Sequence, residues 1–154
     1  MAFDSWKWIS LLKWLSSYGI CIINRIVNLH KEQKTRNIIK TTKFIVYRGQ
    51  ELCGDTFKIM REQKGGLMCF NNFLSTSENR DISLNSFARP AANDLSKPNH
   101  VGILFEMVID PKICEQSNTP FVTITEGDGS FKGTEGEILI STHTIFHINR
   151  INAL

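Results

Sequence analysis

The chain has 154 residues, 42% of them hydrophobic and 21% charged, which is one domain's length and an ordinary balance for a globular protein with a buried core. A net charge of +3 without a Lys/Arg run gives no electrostatic footprint for nucleic acid, and a membrane-spanning helix would need about 18 uninterrupted apolar residues, a run the sequence lacks. Cys21, Cys53, Cys69 and Cys114 show neither CxxC nor zinc-site spacing, so no metal is expected, and they fit either two disulfides or reduced thiols.

In chain order, Trp6-Lys7-Trp8-Ile9-Ser10-Leu11-Leu12-Lys13-Trp14-Leu15 is aromatic and apolar, but Asp4, Lys7 and Lys13 interrupt it, unlike a secretory signal. With no clear signal peptide, a cytoplasmic location is favoured slightly over secretion, and the compartment stays open. Ile9, Leu12, Leu15, Ile22, Ile26 and Leu29 fall near helical spacing and predict an amphipathic helix or helical pair, broken at Gly19. Its apolar stripe suits packing on the domain's own core better than lying on a membrane surface. Residues 1–40 are read as this helical segment and 41–154 as the core of the same domain.

After the polar run Lys31–Arg36, the β-branched and aromatic Lys43-Phe44-Ile45-Val46-Tyr47 predicts a buried strand ending at Arg48-Gly49-Gln50. Asp55 is placed to cap a short helix through Phe57, Ile59, Met60 and Arg61 that Gly65-Gly66 stops. Leu67–Phe70 and Phe73-Leu74 read as short strands, and Glu78 to Ala88 as a helix that Pro90 cannot extend. Val101–Ile109 is the strongest central-strand candidate, stopped by Asp110-Pro111. Phe121–Thr125, Ile138–Ile140 and Thr144–Ile148 complete the strands. Early helices and late strands without regular alternation predict an α+β fold.

Three stretches carry candidate chemistry. Arg48 is read as ending a strand beside Gly49; its planar fork suits a phosphate or carboxylate, or an internal acid, and the glycine would admit a ligand close to the backbone. Ser75-Thr76-Ser77 precedes Glu78, so Ser75 fits a capping box, although a strand-end hydroxyl also orients a nearby carboxylate. The glycine-rich Gly127–Thr134 loop leads to Glu135 and Glu137, which are read as sharing one strand face. Two like charges there form either a solvated strand end or a site with a task.

Taken in order, Tyr47-Arg48-Gly49, Phe73-Leu74-Ser75-Thr76-Ser77 and Glu135-Gly136-Glu137-Ile138-Leu139 resemble the Arg, Ser-Thr-Ser, Glu-x-Glu signature of the arginine-specific mono-ADP-ribosyltransferases, in its eukaryotic and cholera-toxin-like branch. The likeness covers roughly Phe44 to Ile151. Glu135 stands where the asparagine-modifying branch has Gln, and no His-Tyr-Glu set of the poly-ADP-ribosylating branch is suitably placed. The helical part before Arg48 is short for the family and the chain stops soon after its last strand, as in a compact member or a truncated sequence.

The resemblance implies short N-terminal helices followed by two packed, mostly antiparallel sheets around an NAD cleft. It implies NAD as donor substrate, with NADP as an alternative, no metal, a target protein bearing an acceptor arginine as partner, and a monomer. On the matching positions, Glu137 stabilises the charge developing on the ribose and Ser75 holds Glu137 and the sugar. Arg48 binds the phosphates and Gly49 offers backbone groups to the nicotinamide amide. Glu135 would orient the acceptor guanidinium and take its proton. Phe131 is either a core aromatic or part of a loop wall meeting the target protein, and Phe87 either packs in the core or lines the nicotinamide pocket. Two other functions stay open: an NAD glycohydrolase, and a noncatalytic NAD- or protein-binding module of the same fold.

Overall fold

The computed structural model of the chain describes residues 19–94, 96–124 and 137–152. A first helix, α1, is described over Gly19–Thr35 and runs through most of the polar run, and the expected helical stretch before Gly19 lies outside the described residues. Asn37 follows it at φ 56°, the left-handed geometry that closes a helix. Strand β1 spans Phe44–Cys53. It outruns the expected end at Gln50 because all ten residues pair with β4 (His100–Ile109), from Phe44↔Ile109 to Cys53↔His100.

Between these strands lie α2 (Gly54–Glu62), β2 (Leu67–Cys69) and β3 (Leu74–Ser77). A continuous helical run then comprises α3 (Arg80–Ser83), a π-helical turn (Leu84–Ala88) and α4 (Arg89–Ala92). This run passes Pro90, where the sequence reading stops it. Proline lacks a donor, and here it falls where the backbone ladder changes from π to α spacing, so its missing N–H interrupts little. Asp110 caps α5 (Pro111–Gln116), its side chain accepting from the Lys112 N–H. Strands β5 (Phe121–Thr123), β6 (Glu137–Ile140) and β7 (Ile145–His147) follow.

The architecture is α+β; among the described residues there is a five-stranded sheet in the order β4-β1-β3-β6-β5 and a two-stranded sheet of β2 and β7, with every pairing antiparallel. Alternation puts Val46, Leu74, Ile138, Ile140, Phe121, Met107 and Ile109 on one buried face of the large sheet. The small sheet closes over it through Phe146, with Phe70 edge-on to both Phe105 and Phe146.

β4 lies at the sheet's edge, against the expectation of a central strand. Its apolar run is continuous because both faces are partly covered: Met107 and Ile109 enter the core, while Gly102 lies under α4. Among the described residues, no helix is long and apolar enough to cross a membrane, and Cys53, Cys69 and Cys114 are free thiols.

Candidate functional site

Strand β3 is four residues long and alternates in role. Leu74 and Thr76 enter the core, where the Thr76 hydroxyl donates to the Ile138 carbonyl at 2.7 Å. Ser75 and Ser77 stand on the opposite face, and the β3–β6 register sets Ser77 directly across from Glu137. Ser75 is the diagonal neighbour on that face, and its hydroxyl donates to Glu137 Oε1 at 2.6 Å. A hydroxyl bound that closely to a carboxylate is a strong, orienting hydrogen bond.

The capping box expected of Ser75 and Glu78 does not form. The helix cap is Asn79, whose side chain accepts from the Asp81 N–H at 3.0 Å, while the Ser77 hydroxyl accepts from the Asn79 N–H. Glu78 forms an ion pair with Lys40 instead. Ser75 lies four residues before the Asn79 cap, because β3 runs on through Ser77 before the helix starts.

Arg48 is a mid-strand residue and not a strand end. Strands β1 and β3 pair only at Tyr47↔Ser77 and then part. The guanidinium spans the opening they leave: Nη1 donates to the Ser75 carbonyl at 2.9 Å and Nε to Gln50 Oε1 at 3.1 Å. Both partners are neutral, and among the described residues no carboxylate pairs with Arg48, so the internal acid considered from sequence is absent there. Burial pushes its pKa below the ordinary arginine value. Arg48, Ser75 and Glu137 thus form one connected group, linked through both the main chain and the side chain of Ser75.

Gly49 does a different job from the one the sequence suggests. A Cβ there would meet the Ser83 carbonyl at 2.0 Å and the Phe87 Cβ at 2.8 Å, so its missing side chain lets the π-helical turn settle on β1. The side expected to admit a ligand is filled by that backbone, which the Ser83 hydroxyl also ties to the Tyr47 carbonyl at 3.0 Å. Phe87 is not a core residue: it is 49% exposed. Its ring borders an open hollow of about 320 Å³ together with Gln50, Glu51, Pro90 and Asp94.

Glu135, Phe131 and the Gly127–Thr134 loop lie outside the described residues. Four side chains that matter to the site's construction escaped the sequence reading: Gln33, Gln50, Asn79 and Ser83. For Asn79 a signal existed, since Asn-x-Asp opening a helical run is an N-cap pattern. Contacts across many residues in sequence define the roles of Gln33 and Ser83, and no local pattern announces them. No family model, curated protein or solved structure matches the chain.

Proposed function

We propose that the chain is an arginine-specific mono-ADP-ribosyltransferase, moving ADP-ribose from NAD, or alternatively NADP, to an arginine side chain of a target protein and releasing nicotinamide. The observation that carries this reading is the Ser75 hydroxyl holding the Glu137 carboxylate at 2.6 Å, beside an Arg48 guanidinium that spans the opening between β1 and β3. The α+β architecture with its two antiparallel sheets is compatible with the fold of that family.

The donor set suits the ligand. Arg48 is a partly buried cation whose bonds here go to neutral acceptors, so its charge is available to an anion such as a diphosphate. When bound, NAD supplies an N-glycosidic bond whose nicotinamide leaving group already carries positive charge, so its departure needs no general acid. Glu137 stabilises the positive charge that develops on the ribose as that bond breaks, as carboxylates do in glycoside cleavage. Ser75 fixes the carboxylate's orientation, so that little of its stabilisation is lost to rotation.

The acceptor arginine is protonated at neutral pH, with a pKa above about 12, and attacks poorly unless a base draws off its proton. Glu135 takes that proton as the arginine nitrogen bonds to the anomeric carbon, which gives the two acids opposite partners.

Labelled NAD with agmatine as acceptor tests the reading through product analysis. ADP-ribosyl-agmatine and nicotinamide are expected in equal amounts. Release of nicotinamide without modification of agmatine or of a protein arginine would replace the transferase with an NAD glycohydrolase. Absence of both products, with NAD binding retained, would leave a noncatalytic binding module.

A further inference from the structure

Strand β5 is the other edge of the large sheet and has only three residues, yet its outward backbone groups are not left to water. Gln33, on the last turns of α1, is 6% exposed and meets Thr123 with both ends of its amide. Its Nε2 donates to the Thr123 carbonyl at 2.6 Å, and its Oε1 accepts from the Thr123 N–H at 3.0 Å. This is the paired exchange that a neighbouring strand would make, supplied by one side chain. One turn earlier, His30 Nδ1–H donates to the Phe121 carbonyl at 2.7 Å, and its ring stands edge-on to Phe121. The two side chains therefore occupy the edge where a sixth strand would lie.

What lies directly beyond this clamp gives it its meaning. The next residue after Thr123 is Ile124, and its N–H donates to the Glu137 carbonyl at 2.9 Å. Glu137 is the first residue of β6, and it is the carboxylate that Ser75 holds from the other side. The main chain of Glu137 is thus located by β5 and its side chain by β3. A three-residue strand with a free edge frays readily, and loss of its pairing would release the backbone that carries Glu137.

We infer that Gln33 is a positioning residue for Glu137, acting through Thr123 and Ile124, and that α1 is therefore part of the catalytic apparatus. The inference rests on the transferase reading for its catalytic half and on the bonds to Thr123 for its structural half. The pair of bonds needs an amide, which can accept from an N–H and donate to a C=O at once, whereas the ionised carboxylate of glutamate can only accept.

Two variants and two readouts test this. In Gln33→Leu, amide hydrogen exchange at Thr123 and Ile124 is expected to accelerate, kcat for nicotinamide release to fall roughly tenfold or more, and KM for NAD to stay within about twofold, because Arg48 is untouched. Gln33→Glu covers the case in which the leucine variant does not fold. Its carboxylate, when ionised, repels the Thr123 carbonyl, but when protonated it donates to that carbonyl and restores both bonds. Burial raises the pKa of a carboxyl, so the variant's kcat relative to wild type is expected to climb as pH falls from about 8 to about 5.5. A ratio that stays flat with pH, or a kcat unchanged in both variants, would overturn the positioning role. Unprotected Thr123 and Ile124 amides in the wild-type protein would overturn the clamp itself. Silence of the wild-type protein in both product assays, with those amides protected, would instead bring down the transferase reading, and with it the catalytic half of this inference.

Discussion

At the scale of single residues, Ser75, Glu137 and Arg48 are distinguishable by experiment because each has a different partner. Glu137→Gln preserves shape and the capacity to accept from Ser75, but in the proposed transfer it removes the charge that opposes the one developing on ribose. Transfer and hydrolysis are both expected to fall by about 100-fold or more, with NAD affinity by calorimetry nearly unchanged. Glu135→Gln should separate the two reactions, stopping agmatine modification while nicotinamide release to water continues; a parallel fall in both would move Glu135 to the donor side. Arg48→Lys replaces a planar fork that bonds Ser75 and Gln50 with an ammonium that cannot hold both and still meet a diphosphate. Its expected signature is NAD binding weakened at least tenfold with the melting temperature little changed. Because Asn79 caps the helix, Ser75→Ala should lower activity and Asn79→Ala should lower stability, by about 0.5–2 kcal/mol, with activity per folded molecule intact.

At the scale of elements, the helical run after β3 is seated by two glycines in two neighbouring strands. A Cβ at Gly49 would lie 2.0 Å from the Ser83 carbonyl, and one at Gly102 would lie 1.8 Å from the Ala88 carbonyl. Both obstacles are backbone, which cannot swing aside as a side chain can. Gly49→Ala and Gly102→Ala should each reduce stability by at least the roughly 1–3 kcal/mol typical of overpacking, readable by urea unfolding. Gly49→Ala should also disturb NAD binding, since the strand it displaces carries Arg48. Gly102→Ala, on the far strand, should affect folding far more than binding.

At the scale of the whole molecule, the pH dependence of stability follows from exposed ion pairs and hydrogen bonds. Ser96 holds the Asp94 carboxyl below the usual range, first through its hydroxyl and then through its N–H. Lys43 does the same for Asp110, and Lys34 for Glu115. For each, the folded pKa lies below the unfolded one, so the contribution is present above the ordinary carboxylate range and is lost as pH falls through the folded value. Lys97 is displaced upward by Glu51, so its contribution is present below the ordinary lysine value and is lost as pH rises through the folded one. A plateau in melting temperature is therefore expected across neutral pH, declining below about pH 4 and above about pH 10.4. Lys34 and Glu115 are exposed and Lys97 is half-exposed, whereas the Asp110 side chain is only 17% exposed. The alkaline limb should therefore be shallow and flatten in high salt, while the acid limb keeps a part, from Asp110, that salt screens less. Asp110→Asn should remove part of the acid limb.

Local chemistry sufficed to place most of the strands, the helix stop before Gly65-Gly66 and the α+β class, because strand periodicity and turn residues act over a few neighbours. The expected caps did not hold, since the short helix starts at Gly54 with Cys53 at its N-cap and Asp55 already inside its first turn. The order of Arg48, the Ser75–Ser77 triplet and Glu137 was legible in the same way. What joins them came from the family resemblance, which has Ser75 holding Glu137, and not from any local pattern. That Ser75 would meet Glu137 and not cap a helix depended on β3 extending to Ser77 and on its register against β6. That Val101–Ile109 would sit at an edge depended on which strands paired, since coverage of both faces by core and helix leaves the same apolar run as a central position does. Gln33 is the clearest case. In sequence it is one residue of a charged run, and only a fold that brings Thr123 across 90 positions gives its amide two backbone partners to bind.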